Sequence, residues 1–449
     1  PLHYPPHPGQ LRPRCRRDRV SAIPPRAEAV NWLAVSTSFL PSAWTARTAL
    51  APGRPTQLPA GLNLAAWPLA ILLVLNTVLV RAFNGAPTDD FSTVYYAVRR
   101  ALDGQAVYEQ AYHHVDPLYL YNPGATLLLY PLGLVDNFPL ARGLFILVNA
   151  AAIVGALAIL TRVVGHRLSS PLWPASIALA FATEAVTNTL TFANINGLLL
   201  LALSGFLALG LRGAGASLWA GIVLGLAITV KPQFAPLLVL PLVKARWSTV
   251  AAGIAVPVGL NVVAWPVIPD AGDYLRRLVP YLGTTRDYAN SSWDGLRAYF
   301  DLPGWAYYPV WVLAAVLVAV AVVLLLRWRN TDPVLWALTT TGVLLVGIFF
   351  LSSLGQQYYS MWLFPLMFTA VLPRSVFHSW LAWAGAACFL LPVTWTSTHW
   401  PDAGRWANFF LGTAGWFLLI VACAASVTGW YLGQRRGAGY TGQHDQPAH

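Results

Sequence analysis

GWAYYPVWVLAAVLVAVAVVLLLR, residues 304–327, is the stretch of sequence that decides the fold class. It has no charged residue before its final arginine, and as a helix it is long enough to cross a hydrocarbon core of about 30 Å. Comparable apolar runs recur at 64–83, 139–161, 171–189, 194–211, 217–231, 233–244, 247–268, 333–352, 357–373, 379–397 and 407–431. We therefore predict an all-α polytopic membrane protein with about twelve spans, in which 217–244 could be one broken element.

The composition of the whole chain supports this prediction. Of its 449 residues, 57% are hydrophobic and only 10% are charged, whereas soluble domains carry about 25% charged residues. The cysteines Cys15, Cys388 and Cys423 are far apart and predict neither a disulfide framework nor a metal site. No glycine-rich phosphate loop or dinucleotide fingerprint is present, which argues against a nucleotide-binding domain.

The chain divides into three parts by composition. Residues 1–60 are rich in proline and arginine, so we expect a disordered or interfacial basic extension in the cytoplasm. Residues 61–432 contain the apolar runs and form the predicted membrane domain. Residues 433–449 are expected to form a polar cytoplasmic tail.

The distribution of charge predicts the topology. The net charge is +11, but the basic residues fall in short clusters between apolar runs, unlike a nucleic-acid-binding surface. The predicted inner connections carry Arg162, Arg167, Arg212, Lys244, Arg246, Arg327, Arg329, Arg374, Arg435 and Arg436. Acidic residues concentrate in two long outer segments, 84–138 and 269–303. By the positive-inside rule both termini are cytoplasmic, so we expect any chemistry at the extracytoplasmic face.

The first outer segment contains two predicted elements. Within residues 91–104, the side chains of Val94, Tyr95, Val98 and Leu102 share one helical face, which predicts an amphipathic juxtamembrane helix on the outer membrane surface. Residues 121–135 are apolar but too short to span, which predicts a re-entrant or surface segment.

Two adjacent carboxylates, Asp89 and Asp90, directly follow the first span. A carboxylate at this position could accept the proton of a substrate hydroxyl as a general base. The alternative is structural, because aspartate is a favoured N-cap and a helix is expected to follow. Both interpretations stay open, and they are compatible for different members of the pair.

Four basic residues are candidates for binding an anionic phosphate. Lys231 interrupts an apolar run at a point where Pro232 ends or kinks the helix, and an unpaired charge at a bilayer centre costs about 2.5–3.5 kcal/mol. Arg276, Arg277 and Arg286 lie in the second outer segment, against the positive-inside trend, and arginine binds phosphate well. The alternatives are a lysine that reaches the membrane interface and solvated loop arginines.

Polar residues within or beside the apolar runs are candidates for substrate binding. An intramembrane carboxylate such as Glu184 marks either a functional site or a structural ion pair, for which Lys231 is a candidate partner. Aromatic side chains could line a sugar site by stacking on it. The candidate substrate-binding residues are Glu184, Asn194, Asn196, Tyr358, Tyr359, His113 and His114.

A metal site is not predicted. His113 and His114 are near Asp116, but adjacent side chains point in different directions on a regular element, so the pair is poorly placed to hold one ion. We expect no cofactor, and a requirement for a divalent metal stays open.

Several motifs resemble those of the membrane-embedded, polyprenyl-phosphate-dependent glycosyltransferases of the GT-C class. The similarity runs from about residue 64 to 432 and is carried by TDDF, VYYAV, G-x-x-V-Y, VDPLYLYNPG, TLLLYPLG, NTLTFANINGLLLL, GLAITVKP and LGTTRDYANSS. Within that class the chain is most similar to the mycobacterial α-(1→3) branching arabinofuranosyltransferases, and the mannosyltransferases of phosphatidylinositol mannoside synthesis are more distant.

The resemblance implies a function and a site. It implies a GT-C bundle in which Asp90, beside Asp89, is the base of an inverting reaction. The implied donor is the membrane lipid decaprenyl-phosphoryl arabinofuranose, and the implied acceptor is the arabinan of cell-wall arabinogalactan or lipoarabinomannan. Many relatives have Pro-Pro-Gly where this chain has Asn122-Pro123-Gly124. The implied location is the bacterial plasma membrane, with the active site on its extracytoplasmic face.

Three alternatives compete with an arabinofuranosyltransferase. A polyprenyl-phosphate-mannose-dependent mannosyltransferase would share the fold, whereas a lipid or solute transporter would be expected to show paired broken helices and charges near the bilayer midplane. A non-catalytic scaffold would not need an acidic pair beside an amphipathic helix. The concentration of acidic residues in two outer segments favours catalysis at the membrane surface.

Overall fold

The computed structural model describes residues 59–85, 89–112, 118–392, 398–399 and 403–441. These residues contain helices and no β-strand. The helices are α1 (Asn63–Ala82), α2 (Asp89–Leu102), α3 (Pro123–Gly133), α4 (Phe138–Val163), α5 (Leu172–Phe181), α6 (Glu184–Thr191), α7 (Asn196–Leu211), α8 (Ala214–Val230), α9 (Pro232–Val243), α10 (Trp247–Ala264), α11 (Tyr274–Leu278, continued by Val279–Leu282), α12 (Trp293–Phe300), α13 (Gly304–Trp328), α14 (Pro333–Leu351), α15 (Gln357–Leu363, continued by Phe364–Phe368), α16 (Trp380–Leu390) and α17 (Ala403–Thr441). Single helical turns lie at Ala60–Leu62, Thr369–Val371 and Val376–His378.

Six helices of the described residues are long and apolar enough to cross a membrane: α1, α4, α10, α13, α14 and Phe410–Gln434 within α17. The apolar window of α14 is 78% buried inside the protein, whereas those of α1 and α13 are each 17% buried. Helix α14 is therefore central, and α1 and α13 are peripheral. Their large exposed apolar side chains, such as Leu64 and Trp305, require a lipid environment. The prediction of an all-α polytopic membrane protein is confirmed.

Two predicted spans are divided in the structure. Residues 171–189 form α5 and α6, because Thr183 adopts an extended conformation and its hydroxyl caps α6 at Val186. Residues 357–373 form a succession of short helical segments rather than one span. Residues 217–244 form the broken element that the sequence allowed, with Lys231 in an extended conformation between α8 and α9. Hydropathy detects the apolar character of such segments but not their breaks.

Polar caps and prolines fix where several helices begin. Asn122 accepts a hydrogen bond from the backbone of Ala125 and precedes Pro123, the first residue of α3. Asp332 plays the same part before Pro333 at the start of α14. An N-cap oxygen satisfies a free N–H of the first turn, and proline suits that turn because it has no N–H to satisfy.

The predicted amphipathic helix is present as α2, but its apolar face packs on the protein. Phe91 and Tyr95 are buried, and the ring of Phe91 lies 5.5 Å from that of Phe138 in α4. The Tyr95 hydroxyl donates to the carbonyl of Val135 over 2.7 Å. Helix α3, the predicted re-entrant or surface segment, packs between α2 and α10. The start of α2 is thus held rigidly against the bundle.

The connections at the two ends of the bundle make different contacts. At one end, Lys244 donates to the carbonyl of Arg329 over 2.7 Å, and Arg327 donates to Gln434 over 3.1 Å. At the other end, Arg277 donates to the carbonyl of Glu109 over 3.2 Å and joins the second outer segment to the first. The side of the membrane that each end faces stays a prediction.

The predicted division into parts is only partly covered by the described residues. Residues 1–58 and 442–449, which include most of the predicted extension and half of the tail, lie outside them. Helix α17 continues to Thr441, so the predicted boundary between 432 and 433 falls within a helix. The three-part division stays a prediction.

Candidate active site

A cavity of about 850 Å³ opens at the end of the bundle formed by the outer segments. It is lined by the start of α2, residues 118–122, the start of α6, Phe192 and Asn194, the α8–α9 junction, Tyr274 and Leu282, the loop around Arg286, and residues of the segment 352–359. Parts of the chain that are far apart in sequence therefore contribute to one space. Among the predicted site residues, those that line it are Asp90, Glu184, Asn194, Lys231, Arg286, Tyr358 and Tyr359.

Asp90 lies in the first turn of α2 and projects into the cavity. Its Oδ2 accepts a hydrogen bond from Asn194 Nδ2 over 3.0 Å and lies 3.5 Å from the Tyr358 hydroxyl. Both partners come from other elements, so Asp90 does not cap its own helix. Its Oδ1 has no hydrogen-bond partner within the described residues, which leaves this oxygen available to accept a proton. Asp89 precedes it as the first residue of α2, and the Asp89 side chain lies outside the described part.

Asn194 is held by the turn that ends α6. The backbone N–H of Asn194 donates to the carbonyl of Thr189 over 2.8 Å, and Ala193 adopts a left-handed conformation with φ of 44°. The Asn194 side chain uses its oxygen for the N–H of Asn196 and its amide for Asp90. With both ends bonded, the side chain has one orientation in which to present its amide to the carboxylate.

Lys231 brings a positive charge to the cavity at the break between α8 and α9. Its ammonium group donates to the Tyr359 hydroxyl over 3.3 Å and lies 5.0 Å and 5.6 Å from the ring centroids of Tyr359 and Tyr121. No carboxylate lies within ion-pair distance of it in the described part of the chain. A cation held by neutral aromatic walls is suited to binding an anion.

Two adjacent tyrosines connect the acidic and basic sides of the cavity. The Tyr358 hydroxyl contacts both Asp90 and the side-chain oxygen of Gln356, whereas Tyr359 contacts Lys231. Tyr359 stacks on Trp362 with ring centroids 4.8 Å apart, which fixes its orientation. Tyr358 and Tyr359 both line the cavity, and their stacking on a sugar stays a prediction.

Tyr121 forms the facing aromatic wall. Burial raises the pKa of its hydroxyl, and the nearby Lys231 opposes that rise. The hydroxyl therefore stays protonated at neutral pH and presents a neutral donor rather than an anion.

The three arginines of the second outer segment have different positions. Arg286 lines the cavity and has no carboxylate within ion-pair distance among the described residues; its guanidinium lies 5.8 Å from the Tyr288 ring. Arg276 and Arg277 instead bind Asp273 over 2.8 Å and 3.1 Å, and neither lines the cavity. The structure does not bring these two together with Lys231, and their assignment to phosphate binding stays an untested prediction.

The remaining predicted residues also differ in position. Glu184 lines the cavity, but its partner is Asn188, which donates to it over 2.7 Å, rather than the predicted Lys231. Asn196 is fully buried outside the lining, and its side-chain amide has no hydrogen-bond partner among the described residues. His113 and His114 lie outside the described residues. Within them no cluster of histidine, cysteine and acidic side chains could hold a metal ion.

Asn122 is a lining residue that the sequence analysis did not assign to the site. Its side chain caps α3 and also donates to the carbonyl of Thr229 over 2.7 Å, two residues before Lys231. Next to it, the backbone N–H of Gly124 donates to Asn261 of α10 over 3.0 Å. The contact with Thr229 spans 107 residues and left no local signal in the sequence.

Comparison with known proteins identifies the family. The model of glycosyltransferase family 87 matches residues 119–353, more than half of the chain and including Lys231 and Arg286. The chain belongs to glycosyltransferase family 87. This membership confirms the predicted glycosyltransferase, and its fold agrees with the GT-C resemblance.

This family 87 member is similar to proteins with two different names. An α-(1→3)-arabinofuranosyltransferase of Corynebacterium glutamicum is 54% identical over 377 residues, which cover 84% of this chain and 90% of the relative. A protein of the same name from Mycolicibacterium smegmatis is 42% identical over 387 residues, covering 86% and 89%. A polyprenol-phosphate-mannose-dependent α-(1-2)-phosphatidylinositol pentamannoside mannosyltransferase of M. smegmatis is 28% identical over 417 residues, covering 86% and 96%.

Proposed function

We propose that this family 87 enzyme transfers arabinofuranose from decaprenyl-phosphoryl arabinofuranose to an arabinan acceptor and forms α-(1→3) branches. The identity of 54% with a relative of that activity supports the sugar and the linkage. One observation carries the chemistry: the cavity contains a carboxylate and two cations. Among the described residues, one carboxylate oxygen has no hydrogen-bond partner and neither cation has a carboxylate partner.

Asp90 acts as the general base in this proposal. The acceptor hydroxyl oxygen attacks the anomeric carbon of the donor from the face opposite the phosphate. As the new C–O bond forms, the hydroxyl proton moves to Asp90 Oδ1, which accepts no hydrogen bond from the part of the chain that the structure describes. Asn194 holds the other carboxylate oxygen and so orients the base. Attack from the opposite face inverts a β-linked donor into an α-glycoside.

Lys231 and Arg286 bind the donor phosphate. The bond between the anomeric carbon and the phosphate oxygen breaks, and its electron pair leaves with the decaprenyl phosphate. Two cations that line the same cavity stabilise the charge that develops on that oxygen. Phosphate is already a good leaving group, so the reaction requires no separate general acid.

The location of the cavity suits a lipid-linked donor. It opens at the end of the bundle where the acidic outer segments meet, opposite the basic connections that the positive-inside rule assigns to the cytoplasm. We therefore infer that the reaction takes place at the extracytoplasmic face of the plasma membrane. There the donor phosphate lies at the depth of the lipid headgroups.

A comparison of two donors tests the proposal. Purified protein in detergent receives synthetic decaprenyl phosphate carrying either arabinofuranose or mannose, together with an arabinan oligosaccharide, and the product is analysed for linkage. We expect product from the arabinose donor alone, with a new α-(1→3) branch. Product from the mannose donor alone would favour the second candidate, a mannosyltransferase, which the 28% identical relative supports. No transfer from either donor would contradict the proposed class of lipid-linked donor.

A further inference from the structure

We propose that Arg142 is a positioning residue for the reaction, because it joins the two helix ends that set Asp90 against Asn194. This inference rests on the proposed role of Asp90 as the base. Arg142 lies in the first turns of α4 and is buried, with 7% of its surface exposed. It does not line the cavity, so it cannot act on the substrate directly.

The two hydrogen bonds of Arg142 go to the last residues of two helices. Its Nη1 donates to the carbonyl of Ala82 over 3.1 Å, and its Nη2 donates to the carbonyl of Thr191 over 2.7 Å. Ala82 ends α1 and Thr191 ends α6. Carbonyls at a helix C-terminus have no partner within their own helix. One planar guanidinium therefore provides a hydrogen-bond donor to one such carbonyl of α1 and one of α6.

The charge of Arg142 has no carboxylate partner among the described residues. An arginine buried without a counter-ion is costly unless other groups stabilise it. Here the negative ends of two helix dipoles meet at the guanidinium, and each favours a cation there. A methionine or leucine could fill a similar volume, so packing alone does not account for an arginine.

Each helix end that Arg142 holds leads directly into the site. The chain passes from Ala82 to Asp90 in eight residues, and from Thr191 to Asn194 in three. The two ends also pack side by side, because α6 contacts the last turns of α1. Arg142 thereby sets the separation of the two segments whose side chains meet in the 3.0 Å bond between Asn194 and Asp90.

The test compares Arg142→Met and Arg142→Lys with Arg246→Met. Arg246 is a suitable control because it also donates to main-chain carbonyls near a helix end, those of Gly210 and Gly213, but at the opposite end of the bundle. The amount of binding-competent protein is measured by donor-binding stoichiometry, and kcat is expressed per competent site. We expect Arg142→Met to lower this kcat about 10- to 100-fold with little change in donor affinity, since displacement of a reacting group by about 1 Å can cost 10²-fold. Arg142→Lys should recover part of the loss, and Arg246→Met should leave kcat per site unchanged.

A double-mutant cycle with Asn194→Ala separates positioning from general stability. If Arg142 acts through the Asn194–Asp90 contact, the loss in the double variant is smaller than the product of the two single losses. Multiplicative losses, or an unchanged kcat per site in Arg142→Met, would overturn the inference. If Arg142→Met fails to bind donor at all, the same double-mutant cycle is measured with Arg142→Lys, and the same criterion supports or overturns the inference. Full activity of Asp90→Asn would instead refute the proposed base, which is a distinguishable result.

Discussion

Replacing Lys231 with methionine should weaken donor binding strongly, whereas the same change at Arg276 should not. Both residues are predicted phosphate ligands from the sequence, but the structure places only Lys231 in the cavity lining. Methionine retains much of the apolar stem and removes the ammonium group that lies near the rings of Tyr121 and Tyr359. The change therefore isolates the charge and its hydrogen bonds.

The expected size of the effect follows from the surroundings of the Lys231 ammonium group. Among the described residues it has one hydrogen-bond partner, the Tyr359 hydroxyl at 3.3 Å, so its other N–H groups are available to a phosphate. A hydrogen bond to a charged group contributes about 1.5–3 kcal/mol, which corresponds to a loss of about 10- to 150-fold in donor affinity. Arg276 is bound to Asp273 and its side chain is 73% exposed, so we expect less than about a twofold change there.

The assay is a titration of each variant in detergent with synthetic decaprenyl-phosphoryl arabinofuranose, read out as donor Kd and as KM at a fixed acceptor concentration. Acceptor KM serves as an internal control, because Lys231 is expected to contact only the donor. An unchanged donor Kd in Lys231→Met, or an equal loss in Arg276→Met, would contradict the assignment of the phosphate to the cavity cations.

Two further predictions concern the base and the packing of α3 against α10. Asp90→Asn should lower kcat about 10²- to 10⁴-fold because the amide cannot accept the proton. The control is Asp103→Asn, which changes an exposed residue just after α2 and should retain activity. A radiolabelled transfer assay compares the two variants, and equal rates would exclude Asp90 as the base. Gly124→Ala should destabilise the fold by about 1–3 kcal/mol, since its Cβ would lie 2.9 Å from backbone and side-chain nitrogens of Asn261. The midpoint of thermal unfolding in detergent measures the loss of stability. Gly259→Ala is the control, because a Cβ there would meet open space, and equal midpoints for the two variants would contradict the prediction.

The sequence identified the residues of the site better than their pairings. Lys231 could be predicted because a charge followed by proline is a strong disruption of an apolar run, and the chain does break there. Asp90 was recognisable from its place after the first span. The contact between Asp90 and Asn194 was not predictable, because 104 residues separate them and only the bundle brings them together.

Some pairings were visible in the sequence as helical spacings. Asp273 precedes Arg276 and Arg277 by three and four residues, and ion pairs at these spacings form on one helical face. The same spacing of four joins Glu184 to Asn188. Partners three or four residues away predict structural roles for both arginines. They also predict an asparagine partner for Glu184, without any long-range contact.

The limits on the fold prediction have a similar cause. Hydropathy averages over a window, so it reports that 171–189 and 357–373 are apolar. It does not report that Thr183 interrupts the first run, or that the second is a succession of short helical segments. Those interruptions place Glu184, Tyr358 and Tyr359 at the cavity. Departures from regular spans therefore carry much of the functional information.

The side chain of Asn122 has a consequence for how the two proposed phosphate ligands are supported. By capping α3 and donating to a main-chain carbonyl near the end of α8, it joins the first outer segment to the helix that directly precedes Lys231. Arg286 stands on a separate support, because Asn290 donates to the carbonyls of both Arg286 and Ser353 and so joins that loop to the segment after α14. The distance between the two cations is therefore set by the packing of the whole bundle and not by any single element.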